Sequence, residues 1–173
     1  MIVWLNGTFG VGKTSTAGEL VSLLPGARIF DSECVGLMLR HVLTEPVEDF
    51  QDWPPWRSLV VQAAVQVLGF VGGTLVVPQT VLVQDYARQI FGGLSDAGVP
   101  VMHFVLHARE DELVRRITED AGEDRGAKDW RLDHVAKYQA ALPWLREDGE
   151  ILDTTSVSVS EVARDLAARV RTT

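Results

Sequence analysis

The chain has one cysteine, Cys34, so no disulfide can close within it and no cysteine-based zinc site can form. Positive charge is scarce too: 16 Lys+Arg face 24 Asp+Glu, a formal net charge of −8. That balance argues against nucleic acid as a main partner, and any bound anion must be held by local geometry. Long hydrophobic runs are missing as well. The stretches Leu59–Val71 and Thr74–Val83 are broken by Gln62, Gln66, Pro78 and Gln79, and neither reaches the roughly 20 residues of a membrane span. The apolar start, Met1–Leu5, lacks a basic region before it and meets Asn6-Gly7 at once, so no signal peptide is expected. His103 and His107 share one strand face, while His41 and His134 lie apart. With no cysteine among them they mark no transition-metal site, and structural or exposed positions are expected for all four. What remains is an average globular mixture with 46% hydrophobic residues, which predicts one soluble cytoplasmic domain over residues 1–173.

Strand and helix patterns alternate, which predicts an α/β fold with a mainly parallel sheet. Strands are expected at Ile2–Leu5, Ala27–Phe30, Leu75–Val77, Val101–Leu106 and Glu150–Leu152. Helices are expected over Lys13–Leu24, Glu33–Leu43, Ser58–Val71, Gln84–Ala97, Trp130–Leu145 and Ser160–Val170. Glu45–Arg57 reads as a turn-rich aromatic segment. Arg109–Lys128 reads as a charged helix, a glycine-containing loop and the start of another helix.

Gly7-Thr8-Phe9-Gly10-Val11-Gly12-Lys13-Thr14 matches G-x-x-x-x-G-K-[ST] in full, after a strand and before a helix. Gly7, Gly10 and Gly12 allow backbone conformations closed to other residues and a close approach to phosphate. The loop N–H groups and the positive end of the next helix form an anion cradle. Lys13 reaches the β- and γ-phosphates, and the Thr14 hydroxyl can ligate Mg²⁺. The cofactor-binding set is thus Gly7 to Thr14, with Ser15 beside it. The third strand runs into Pro78-Gln79 and carries no acidic pair, which points away from motor-type ATPases and towards a small phosphotransferase.

Trp4–Thr14, Phe30-Asp31-Ser32-Glu33 and Asp49-Phe50-Gln51-Asp52 before Trp56-Arg57 resemble the tunicamycin-resistance P-loop proteins. More broadly, the chain is similar to nucleoside kinases, shikimate kinase and chloramphenicol phosphotransferase, over nearly its whole length. The resemblance implies a three-layer kinase-like fold with a five-stranded parallel sheet in the order 2-3-1-4-5. It also implies a substrate segment at about 45–60, a mobile lid at about 115–131, and ATP or GTP with Mg²⁺. The implied activity is phosphoryl transfer to a hydroxyl of a nucleoside-type antibiotic, which gives resistance. Two alternatives stay open: a nucleotide-binding protein that sequesters the drug, and a small-metabolite kinase. A homodimer is likewise open.

Asp31, just after the second strand, is the expected base or metal contact, and capping of the following helix is its bland alternative. Glu33 is a second candidate. Arg40, Arg57, Phe50, Trp53, Trp56 and Gln79 are candidates for holding the acceptor. The tryptophans either stack a ring or plug the core. Relatives place an arginine against the nucleotide where Arg116 stands and a lid arginine where Arg125 stands, with Arg131 a second option. Gly122 and Gly126 are candidate lid hinges. A loop of relatives contacts adenine where Asp153, Thr154 and Thr155 stand.

Overall fold

The computed structural model describes residues 1–120 and 125–172; the side chain of Arg125 is not among what it describes. Five strands are present: β1 (Ile2–Asn6), β2 (Arg28–Ile29), β3 (Leu75–Pro78), β4 (Val101–His107) and β5 (Glu150–Asp153). They form one parallel sheet in the order β2-β3-β1-β4-β5, as the resemblance implies.

β1 lies at the centre, in register with β3 through Ile2–Leu75 and with β4 through Ile2–Val101. All five of its residues are buried, so it reads as a continuous apolar run rather than an alternating one. Alternation still decides which layer each residue fills. Val3 and Leu5 join Leu20, Ala163, Leu166 and Tyr138 on one side of the sheet. Ile2 and Trp4 join Trp56, Val60, Ile90 and Leu94 on the other.

The first layer comes from α1 (Lys13–Leu23), α5 (Glu110–Glu119), α6 (Arg125–Asp148) and α7 (Val159–Arg171). The second comes from α2 (Glu33–Arg40), α3 (Pro54–Val71) and α4 (Gln84–Asp96).

Several boundaries differ from the sequence expectation. α3 begins at Pro54, not Ser58, because Pro54 and Pro55 occupy helix positions whose N–H groups have no intrahelical partner to lose. α2 stops at Arg40, where the amides of Val42 and Leu43 both turn back onto the Leu39 carbonyl. β2 shrinks to two residues, although the Phe30 amide still bonds the Val76 carbonyl at 2.9 Å. No described helix is long and apolar enough to cross a membrane.

Candidate functional site

The phosphate loop leaves β1 at Asn6, and Asn6 is the staple that shapes it. Its Oδ1 accepts from the Gly7 amide at 2.8 Å and from the Val81 amide at 2.9 Å, while its Nδ2 donates to the Val81 carbonyl at 2.9 Å. The Thr80 hydroxyl adds a bond to the Gly7 carbonyl at 2.8 Å, tying the loop after β3 to the phosphate loop. Gly7 has φ +126°, and a Cβ there would fall 2.4 Å from the Leu106 carbonyl oxygen. Only glycine fits.

Gly12 carries the chain into α1, whose N-terminus receives no side-chain cap, so its amides remain available to an anion. Thr8 and Val11 are buried, whereas Thr14 and Ser15 are exposed on the first turn of α1. Lys13 Nζ donates to the Thr8 carbonyl at 2.9 Å. Desolvation pulls its ammonium down to about 7; Glu33 opposes that shift and Arg131 adds to it. A desolvated cation beside uncapped amides is the donor set a polyphosphate requires.

Arg116 joins this loop to the far edge of the sheet. Its Nη2 donates to the Thr154 carbonyl at 2.8 Å, its Nη1 to the Gly10 carbonyl at 3.3 Å, and its Nε to Glu112 at 2.7 Å. Thr154 is buried, with its hydroxyl on the His107 carbonyl at 3.0 Å. Asp153 accepts from the Thr155 amide at 2.8 Å, and the Thr155 hydrogen bonds hold its carboxyl below the usual range. Arg116, Thr154 and Thr155 therefore stand together beside the phosphate loop.

A cavity of about 580 Å³ opens next to the loop, within the range of small-molecule sites. Its walls come from five places. Phe9 belongs to the loop itself, Glu33, Leu37 and Arg40 to α2, and Trp130, Arg131, His134 and Lys137 to α6. Asp49, Phe50 and Asp52 come from the turn before α3, and Gln79, Thr80 and Tyr86 from the β3–α4 region.

The turn before α3 is a 3-10 turn over Phe50–Asp52, built by reciprocal capping. Asp49 accepts from the Gln51 amide at 2.9 Å, and Asp52 from the Asp49 amide at 3.2 Å. The Tyr86 hydroxyl also donates to Asp52, at 3.1 Å. Burial pushes the Asp49 carboxyl up. Behind the turn, Gly36 of α2 meets Phe50 so closely that a Cβ would fall 2.6 Å from the ring Cγ.

Of the residues expected to hold the acceptor, Glu33, Arg40, Phe50 and Gln79 line the cavity and the rest do not. Trp56 is wholly buried, its Nε1 donating to the Ser32 carbonyl at 3.2 Å, and Trp53 is buried with its Nε1 on the Glu45 carbonyl. They plug the core, because Pro54-Pro55 starts a helix that turns both rings inwards. Arg57 is buried as well. It donates to the Gln51 carbonyl and to Gln89 Oε1, and lies 4.1 Å over the Tyr86 ring.

Asp31 is exposed and does not line the cavity. Its Oδ1 accepts from the Glu33 amide at 2.9 Å, and the Cys34 thiol approaches its Oδ2 at 3.6 Å. Arg125 opens α6 by its backbone, but its side chain lies outside the described residues, as does Gly122. Arg131 lines the cavity and pairs with Asp120 at 3.2 Å.

Sequence reasoning missed part of the wall. Phe9, Trp130 and His134 form an aromatic cluster with ring centroids 4.1 to 5.4 Å apart. The signal was the spacing of Trp130 and His134, one helical turn apart on a single face. His103 and His107 are structural, bonded to Asn6 and to the Tyr138 hydroxyl.

No protein-family model and no curated protein matches the chain. Solved structures do. The tunicamycin resistance protein of Deinococcus radiodurans is 29% identical, with a TM-score of 0.74, over 98% of this chain and 95% of that one. The Mycobacterium tuberculosis APS kinase, in complex with AMPPNP and APS, is 18% identical with a TM-score of 0.65, over 98% and 96%. A gluconokinase of Sinorhizobium meliloti is 16% identical with a TM-score of 0.64, over 98% and 91%. Two P-loop kinases thus share the fold, and the resemblance to the tunicamycin-resistance P-loop proteins carried by Trp4–Thr14 and Asp49–Asp52 extends through the architecture of nearly the whole chain.

Proposed function

We propose that this protein transfers the γ-phosphoryl group of ATP or GTP to a hydroxyl of a nucleoside-type antibiotic, and that the modification protects the cell that makes it. The observation that carries this reading is the junction of two sites. Phe9 of the anion cradle, whose Lys13 is desolvated, is also a wall of a 580 Å³ cavity lined by rings and carboxylates. The likeness to a tunicamycin resistance protein supports the acceptor class, and the kinase fold supports the reaction.

The roles follow from position. The loop amides and Lys13 bind the triphosphate, and Arg116 with the Thr154-Thr155 backbone closes the nucleotide side. Thr14, exposed on the first turn of α1, would hold Mg²⁺ through its hydroxyl, and the ion would supply charge neutralisation at the triphosphate. Asp31, the other expected metal contact, is turned over the start of α2. Arg125 and Arg131 are lid cations that offset charge as transfer proceeds. Phe9, Phe50 and Trp130 supply faces for a planar ring, and Arg40 supplies a donor. The cytoplasm, where triphosphate is abundant, is the expected site of action.

The second reading is a protein that binds the drug without changing it. One observation favours it: the carboxylate expected to act as base, Asp31, stands outside the cavity. Incubating the protein with Mg²⁺, ATP or GTP and tunicamycin-type nucleosides, then weighing the products, separates the two. A product heavier by one phosphate supports transfer. Protected cells with unmodified drug support sequestration.

A further inference from the structure

Trp130, His134 and Lys137 stand one turn apart along α6, and all three line the cavity. The middle residue is locked in place. The His134 carbonyl accepts from the buried Thr8 hydroxyl at 3.3 Å, which ties α6 to the phosphate loop. Its ring lies 4.1 Å from the Trp130 ring and meets the Phe9 ring edge-on at 5.4 Å. Its Nδ1 is 2.8 Å from the Trp130 carbonyl oxygen.

That last contact decides the tautomer. A carbonyl oxygen only accepts, so Nδ1 carries the proton and, in the neutral ring, Nε2 carries a lone pair. Among the described residues Nε2 has no hydrogen-bond partner. Every fully buried side-chain nitrogen or oxygen among those residues does have one, so Nε2 must reach open space. His134 is only 7% exposed, and the space it borders is the cavity. A fixed, nearly buried lone pair at the foot of an aromatic wall asks for a donor.

Resting on the reading of this cavity as the acceptor site, we infer that His134 selects acceptors with a planar ring whose edge offers an N–H beside a carbonyl. That is the edge of a cyclic imide or lactam. The ring lies against Trp130 and Phe9, its N–H donates to His134 Nε2, and its carbonyl accepts from Lys137. Lys137 Nζ is held only by an exposed pairing with Glu48 at 3.7 Å, which a ring carbonyl displaces at little cost. A carboxylate or phosphate brings only acceptors and would oppose the lone pair. A sugar brings donors but no aromatic face for the tryptophan and phenylalanine rings. His134 takes no part in transfer; it selects and orients.

The test titrates the MgADP-loaded protein with uridine and with 3-methyluridine, which keeps both carbonyls and loses the imide N–H. The assignment expects wild type to bind uridine about ten- to a hundredfold tighter, because the methylated ring leaves the lone pair unpaired. His134→Phe keeps the ring volume and removes the lone pair, so it should bring the two affinities within about threefold. His134→Gln, whose amide oxygen reaches about as far as Nε2, should keep part of the preference. Tm and MgADP affinity report folding and should change little in either variant. Nitrogen–proton correlation spectra of the histidines at about pH 8 need no variant. They should show the Nδ1–H tautomer at His134 in the free protein, and an Nε2 signal that uridine displaces.

Wild type that binds the two nucleosides equally, or binds neither, overturns the assignment. So does an Nε2–H tautomer, or a folded His134→Phe that keeps the full preference. Wild type that prefers uridine but adds no phosphate from MgATP to uridine or tunicamycin leaves the assignment standing and overturns the transfer reading. Phosphorylated product without that preference does the reverse.

Discussion

Lys13 Nζ donates to the carbonyl of Thr8, five residues back in its own loop, at 2.9 Å. The lysine meant for phosphate is thus parked on backbone and desolvated, with its ammonium pulled down to about 7. A triphosphate offers what that ammonium lacks, so binding should restore the proton. Above pH 7 the free protein has lost it, and MgATP binding should take up as much as one proton while affinity falls with rising pH. Calorimetry at pH 8 in buffers of different ionisation enthalpy checks this, and Lys13→Arg, which never deprotonates, should show no such uptake.

The same lysine sets a stability trend in the free protein. Its folded value lies below its unfolded one, so its penalty is full below pH 7 and fades towards pH 10.5. Lys13→Met should therefore melt higher than wild type at pH 6 and converge with it near pH 10. Paired thermal scans across that range read the difference.

Arg116 is expected to matter for nucleotide affinity as an organiser. Arg116→Ala frees the Gly10 and Thr154 carbonyls at once and should weaken MgATP binding about ten- to a hundredfold, since hydrogen bonds to charged groups contribute ~1.5–3 kcal/mol. Arg116→Lys should recover little, because a point charge cannot reproduce the planar fork. Equilibrium titration of both variants decides.

Arg57 should behave as a fold residue. Arg57→Met leaves the Gln51 carbonyl without its donor and should cost about 2–3 kcal/mol in urea unfolding. An acceptor KM that rises at unchanged stability would return Arg57 to the binding surface.

Trp130 is the exposed face of the aromatic wall, at 43% exposure. Trp130→Ala should raise the acceptor KM about tenfold, the scale of an aromatic pair, with MgATP affinity nearly kept. Steady-state kinetics with either substrate varied separates the two effects.

The framework was legible in the sequence because its signals are local. The phosphate-loop spacing, the strand–helix alternation and the Asp49–Asp52 segment each state a backbone geometry within a dozen residues. Resemblance supplied the strand order. The cavity wall was legible only in part, through Glu33, Arg40, Phe50 and Gln79, because the rest depends on which way a helix faces after it docks. The sequence left Trp53 and Trp56 open between stacking a ring and plugging the core, and the proline start of α3 turns them into the core. Asp31 and Glu33 are equivalent as residue types and both are exposed, yet only Glu33 lines the cavity. His134 reached the wall because α6 lies across the phosphate loop, a tertiary fact that no window of sequence contains.

Gly36 sits behind the cavity without lining it, and its missing side chain is what lets the Phe50 ring lie where it does. The capacity of the cavity is therefore set from outside, by an absence. One added methyl at position 36 must shift the ring by a substantial fraction of an ångström, while every polar group that lines the cavity keeps its identity. Cavity shape and phosphate loop are in this way separately adjustable: a single backbone-facing position can reshape the one and leave the other untouched.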